Sequence, residues 1–382
     1  MLLVFLGFSI NSCVESFEIE DGTFEDLLVV EATITNELKR QEVQLFRTYG
    51  LKEREPLAVT NAIVTVSYDQ NQYAFEETTP GIYLSSTEFR AEPEREYRLE
   101  ILTAEGKSYV SEPTQLTPAA EMNLEAQPMI HEGMEGVALL IDSYNPQGNS
   151  NYYRYQYQET FKIVSPLESP YDLIFIDGQA ELRPKGDKEE KTCYRTETSN
   201  ELLLTTTNNL REDRLENYQF KFLERLDSRI AHRYSVLVTQ QVLSAEAYTF
   251  YRTLEKFSGS TSLFSQNQPG FIPGNISPVE DQEDKVIGFF NVSSVVHQRI
   301  FFNFTDFFNI AEGFPRPFAG TCAVSRPEWP TVMYLLMDGT VKYLGPASWP
   351  DEEGFGPYRV APPECIDCTF LGSNEPPEFW VE

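Results

Sequence analysis

From Leu27 onward the chain breaks into short β-type segments parted by turn residues: LLVVEATIT, QEVQLFRT, AIVTVSYD, QYAFEET, GIYLSS, YRLEILT and KSYVSEP. Side chains on a strand alternate between two faces, so a strand with one buried face alternates apolar and polar residues. Ala62, Val64, Val66 and Tyr68 share one face; so do Tyr97, Leu99 and Ile101, with Arg98 and Glu100 opposite. Pro80-Gly81 and Glu105-Gly106 mark tight turns. Seven such segments within residues 27–118 predict an immunoglobulin-like β-sandwich that ends in a TPAAEMN linker near Pro118.

Residues 119–382 predict a larger, β-rich, sandwich-like domain with one helix. In NYYRYQYQETFKI the residues Tyr153, Tyr155 and Tyr157 face one way, with Arg154 and Gln156 on the other side. Further strands are expected in GVALLIDSYNP, ELLLTTT, YQFKFLERL and HRYSVLVTQQVLS, and one long strand or two in KVIGFFNVSSVVHQRIFFNF. A charged insertion at about 165–200, containing RPKGDKEEK, reads as an exposed loop. The helix has Ser244 as N-cap, Glu246 in its first turn and a stripe of Ala247, Phe250, Tyr251, Leu254 and Phe257, with Gly259 as its stop. A long Gly/Pro segment at about 261–280 is expected to carry function or to pack on itself. MYLLMDGTVKYL predicts a hairpin turning at Asp338-Gly339.

The 27 Phe and 20 Tyr favour strands and exclude a disordered acidic chain. A net charge of −29 repels phosphate backbones, so nucleic acid is not an expected partner. After Cys13 no apolar run is long enough to cross a bilayer as a helix.

The first residues point to an address. Leu2 to Ile10 suits the apolar core of a secretory signal, and small Ser12 precedes Cys13 as a lipoprotein cleavage site requires. Residues 1–12 then read as the signal peptide, Cys13 as the lipidated residue and 13–26 as an acidic, solvated tether. The stretch has no Lys or Arg, which a start further upstream would supply. An acylated cysteine would anchor the chain to a membrane, at about 0.8 kcal/mol per buried CH₂.

An exported chain carries its cysteines in an oxidising compartment, so Cys193, Cys322, Cys365 and Cys368 read as disulfide candidates. Three connectivities are possible; the short C-I-D-C spacing leans toward Cys365–Cys368 locally and Cys193–Cys322 across the domain. A zinc ribbon would need a second CxxC, and a thioredoxin-like site would need the motif to open a helix after a strand. His131-Glu132 does not continue as HExxH, and His232 and His297, at strand-like segments, read as structural imidazoles. The acidic group Glu280, Asp281, Glu283 and Asp284 lacks the alternating oxygen spacing of calcium loops. No nucleotide or nucleophile-elbow motif occurs, so no catalytic residue, metal or cofactor is assigned.

LLVVEATIT after the cysteine, RYSVLVTQQVLSAEAYTFYRTLEK, STSLFSQNQPGFIPGNI, VIGFFNVSSVVHQRIFF and the terminal PPECIDCTFLGSNEPPEFW together resemble a known family. It is the Bacteroidota outer-membrane lipoproteins grouped as domain of unknown function 4249. The resemblance implies a lipid-anchored envelope protein, often encoded near TonB-dependent outer-membrane receptors, with no established catalytic residues to carry over. The expected function is a non-enzymatic, surface-exposed lipoprotein serving as a binding accessory of a TonB-dependent transport system. The acidic residues Glu15, Glu18 and Glu20 would act as its surface-export signal. A surface hydrolase of glycans or peptides, and a purely structural envelope protein, are the alternatives.

Overall fold

A computed structural model describes residues 26–49, 56–258, 271–281, 283–316, 318, 320–347 and 356–382. The signal segment, Cys13 and nearly all of the tether lie outside them, as do Gly259, the Phe257 side chain and residues 261–270. The chain is mainly β, with sheets in a sandwich- or barrel-like arrangement.

The predicted alternation is seen directly. In the strand Glu96–Leu102, Tyr97, Leu99 and Ile101 are buried while the residues between them face solvent. Val64 and Val66, in the neighbouring strand Ile63–Tyr68, pair with Ile101 and Leu99 and are buried too. Among the described residues eleven strands belong to this first sheet. It curls until its two ends, Ile276–Pro278 and Val286–Ser293, touch around a core of Val30, Ile34, Leu45, Tyr83, Leu99 and Phe290.

Those two end strands come from far along the chain, so residues 27–118 do not close their sheet alone. Val286–Ser293 pairs in parallel with Leu28–Thr35, and Ile276–Pro278 pairs with Ser108–Ser111. The break expected near Pro118 is therefore not a boundary in the hydrogen bonding. The described part of the long Gly/Pro segment, 271–280, seals the barrel seam. A Cβ on Gly274 would come within 1.6 Å of the Gly288 carbonyl oxygen, so the approach needs a glycine.

The segment KVIGFFNVSSVVHQRIFFNF is two strands in two sheets. Ser294 separates Val286–Ser293 from Val295–Asn303, and the latter joins Arg233–Val242 in the second half of the molecule. There a three-stranded sheet (Glu121–His131, Met134–Tyr144, Arg214–Glu224) faces a five-stranded one built on Tyr152–Val164. Val137, Leu139 and Ile141 from the former meet Tyr153, Tyr155 and Val236 from the latter. Helix α1, Ala245–Ser258, starts where expected: Ser244 Oγ accepts the Ala247 N–H at 3.1 Å. Its buried stripe of Ala247, Phe250, Tyr251 and Leu254 packs on Val29, Ile287 and Phe289 of the barrel and on Leu202 and Leu243 of the second half. The helix thus fills the junction.

Two local expectations change. The 165–200 insertion is not a loop: Tyr171–Ile176 and Gln179–Pro184 form a hairpin turning at Asp177-Gly178, and Thr192–Thr198 is an edge strand of the five-stranded sheet. Its charges pair with one another and so mask the strand pattern. In MYLLMDGTVKYL, Thr331–Met337 forms helix α2, capped by Asp338 and stopped by Gly339 at φ +78°. An Asp-Gly pair serves a hairpin turn and a helix end alike, because both need a residue in the left-handed region. The actual strand pair is Lys342–Pro346 with Tyr358–Ala361.

Candidate functional site

The four described cysteines form two bridges, and neither is local. Cys193 bonds Cys368 across 175 residues, and Cys322 bonds Cys365 across 43. The expected Cys365–Cys368 and Cys193–Cys322 pairing is thereby corrected. The physical reason is packing: the two CIDC cysteines sit in successive 3₁₀ turns, Pro363–Cys365 and Cys368–Phe370. Cys368 is buried with Cys193 in the sheet core, whereas Cys365 is buried in a separate cluster with Phe318, Ala361 and Ile366, against which Cys322 packs.

Asp367, between the two, organises the same knot. Its Oδ2 accepts from Lys342 Nζ at 2.6 Å, and its Oδ1 accepts from the Thr369 N–H at 2.9 Å. Burial alone would raise its pKa; the hydrogen bonds from Lys342 and Thr369 outweigh that and hold it below the usual carboxylate range. Burial lowers the Lys342 pKa, but Asp367 and Glu190 more than offset it, so the ammonium is favoured. Glu190 also takes Lys185, the first of the three lysines in RPKGDKEEK. The charged insertion thus anchors the tail.

Between this clasped tail and the sheet lies a solvent-open cleft of about 580 Å³. Phe161 and Ile163 from the central strand line it, with Arg195 and Glu197 from the edge strand beside it. Ser228 and Arg229 contribute from the 3₁₀ turn Ser228–Ile230, whose N-cap is Asp227. The tail supplies Phe318, Gly320, Glu364, Phe370 and Leu371, all close in sequence to the bridged cysteines.

The charges around the cleft divide into committed and open. Arg229 is committed: Asp227 holds it at 2.5 Å and Glu159 at 3.1 Å, and hydrogen bonding to Asp227 raises its pKa further. Glu159, almost wholly buried, also accepts from Lys221 at 2.8 Å and from the Tyr234 hydroxyl at 2.6 Å. Burial and that carboxylate push the Tyr234 phenol well up. Among the described residues Arg195 pairs only through its Nε, with Glu197 at 2.7 Å, and its terminal nitrogens meet no acceptor. Among the described residues the half-buried Glu364 carboxylate has no hydrogen-bond or ion-pair partner. The arrangement offers a donor fork, an acceptor and aromatic walls, which suits binding.

The other residues singled out in the sequence lie elsewhere. His297 bridges Thr239 Oγ1 and Glu37 Oε1, each at 2.8 Å, and ties the second half to the loop after the first strand. His232 packs against Phe314, and burial lowers its pKa. His131 lies against the Phe222 ring. Asp284 is held by Lys107 and Tyr109, and Asp281 caps the Glu283 N–H. Among the described residues no group of three or more His, Cys, Asp or Glu could hold a metal ion. Sequence reasoning missed Arg195, Ser228 and Glu364 because five separated segments converge on the cleft; the cysteines near its tail wall were the one available signal.

The family model described as Domain of unknown function (DUF4249) matches residues 14–299. The chain belongs to the DUF4249 family. The matched span of this DUF4249 protein covers the barrel, α1 and both sheets of the second half except the end of the strand Val295–Asn303. The tail wall of the cleft and three of the bridged cysteines lie beyond it, as does the PPECIDCTFLGSNEPPEFW motif. No curated protein matches the chain.

Proposed function

We propose that this DUF4249 protein is a non-enzymatic, lipid-anchored outer-membrane protein that binds a ligand or cargo for a TonB-dependent transport system. The observation that carries the reading is the placement of the bridges. Both CIDC cysteines are spent on long-range disulfides that hold one wall of an open cleft. Disulfides form and persist in oxidising compartments such as the cell envelope. The candidate anchor Cys13 and the acidic residues after it fit the same compartment.

The test is a mild-detergent pull-down of the native protein from outer membranes. Co-purification of a TonB-dependent receptor is the expected result, together with release of Cys13→Ala from the membrane fraction. A protein that recovers no membrane partner, or whose Cys13→Ala variant stays membrane-bound, overturns the reading.

A second reading, a surface hydrolase, is favoured by one observation: Glu197 and Glu364 line the same cleft. Paired carboxylates of that kind serve glycoside hydrolysis at suitable separations. Release of reducing ends from a glycan panel, abolished by Glu364→Gln, would favour it over the binding reading.

A further inference from the structure

We propose that the cleft takes a small zwitterion with an apolar body, an amino acid or short peptide with both termini free. The proposal rests on the binding reading above and specifies its ligand.

Two groups of opposite charge face the cleft with capacity to spare. Among the described residues Arg195 engages Glu197 through Nε alone, so its terminal nitrogens present a donor fork. Glu364 presents a half-buried carboxylate with no partner among the described residues. Phe161 and Phe318 are buried, and Phe370 lies open at 59% exposure, ready to be covered.

Each simpler ligand class leaves one of these features unmet. An anion would satisfy Arg195 but meet Glu197, Glu364 and a chain of net charge −29. A cation would satisfy Glu364 but face Arg195. A wholly apolar molecule would strip water from both charges and return nothing. A neutral sugar would hydrogen-bond the same groups yet leave Glu364 without a counter-charge and the Arg195 fork without a carboxylate. A zwitterion meets all of them. The guanidinium fork accepts a carboxylate through parallel N–H···O bonds, and a carboxylate beside aromatic faces accepts an ammonium. The apolar side chains then rest on the phenylalanines. A cleft of about 580 Å³ accommodates a ligand of di- or tripeptide size.

Isothermal titration of the full-length, detergent-solubilised protein tests this with four probes: Phe-Leu, its N-acetyl form, its C-terminal amide, and maltose. Phe-Leu is expected to bind, and either cap to weaken it by about tenfold or more, as loss of a charge-assisted contact does. Glu364→Gln should remove the sensitivity to acetylation but keep that to amidation, and Arg195→Gln should do the reverse. This crossed pattern separates a lost contact from a misfolded variant, which would bind nothing. Equal binding of capped and free peptide, binding of maltose instead, or no binding of Phe-Leu at millimolar concentration overturns the proposal. If Phe-Leu fails while a receptor still co-purifies, the ligand is wrong and the accessory reading stands.

Discussion

The Asn275 side chain hydrogen-bonds both backbone groups of Phe290, donating from Nδ2 to the carbonyl at 3.0 Å and accepting the N–H on Oδ1 at 2.8 Å. It stands in for a strand residue at the point where the first sheet closes on itself. Replacing it by Leu would leave a buried N–H and C=O without partners, at about 2–4 kcal/mol in all. Urea unfolding of Asn275→Leu should show that loss as a lower midpoint with the same slope. A change under about 0.5 kcal/mol would mean the seam does not depend on this residue.

Peptide mapping without reduction should recover Cys193 linked to Cys368 and Cys322 linked to Cys365, with no Cys365–Cys368 loop. Replacing both cysteines of the longer bridge by Ser should destabilise by about 2–5 kcal/mol, because that bridge restrains the largest unfolded loop. A mapped Cys365–Cys368 peptide would refute the two-cluster packing.

Asp367 and Lys342 set a pH window. The folded pKa of Asp367 lies below its ordinary value, so its contribution is present above the unfolded pKa and fades as pH falls through the folded one. The folded pKa of Lys342 is raised, so its share is lost only as pH rises through that value, in strongly alkaline solution. Asp367→Asn should therefore cost about 1–2 kcal/mol near neutrality, since among the described residues it leaves Glu190 as the one carboxylate holding the part-buried Lys342 ammonium. The difference from wild type should shrink below about pH 4 in chemical denaturation. A deficit independent of pH would remove the ion pair from the account.

Thr117 joins the two halves. Its hydroxyl donates to the Val242 carbonyl and accepts the Ser294 N–H, both at 2.9 Å, and its carbonyl accepts the Ser294 hydroxyl. Thr117→Val keeps the shape and removes the hydroxyl, so we expect a loss of about 1–3 kcal/mol. Hydrogen exchange should speed up at residues 292–295 before either core opens. Unchanged protection there would mean that the Thr117 hydroxyl does not couple the halves.

Much of the fold was legible because the relevant signals are local. The two-residue alternation in YRLEILT placed Tyr97, Leu99 and Ile101 inward, and a serine ahead of an apolar stripe started α1. Ambiguity arose where one local signal serves two structures. Asp338-Gly339 reads as a hairpin turn and is a helix end. Mutually paired charges hid the strands around RPKGDKEEK. Burial of Arg154 on the outward face of the tyrosine strand, 4.7 Å over the Tyr251 ring, had no signature either; it depends on where α1 lands.

By itself the sequence determined that this chain builds sheets, that its faces alternate as they do, and that it carries a net charge of −29. These follow from side-chain direction and charge, which each residue carries with it. Tertiary structure alone decided that Ile276–Pro278 and Val286–Ser293 close the barrel against Ser108–Ser111 and Leu28–Thr35, and which cysteine meets which. It also decided that Arg195 and Glu364 share a cleft. Those outcomes depend on which apolar cluster buries each returning segment. Burial is shared among residues tens to hundreds of positions apart, and no local pattern records it.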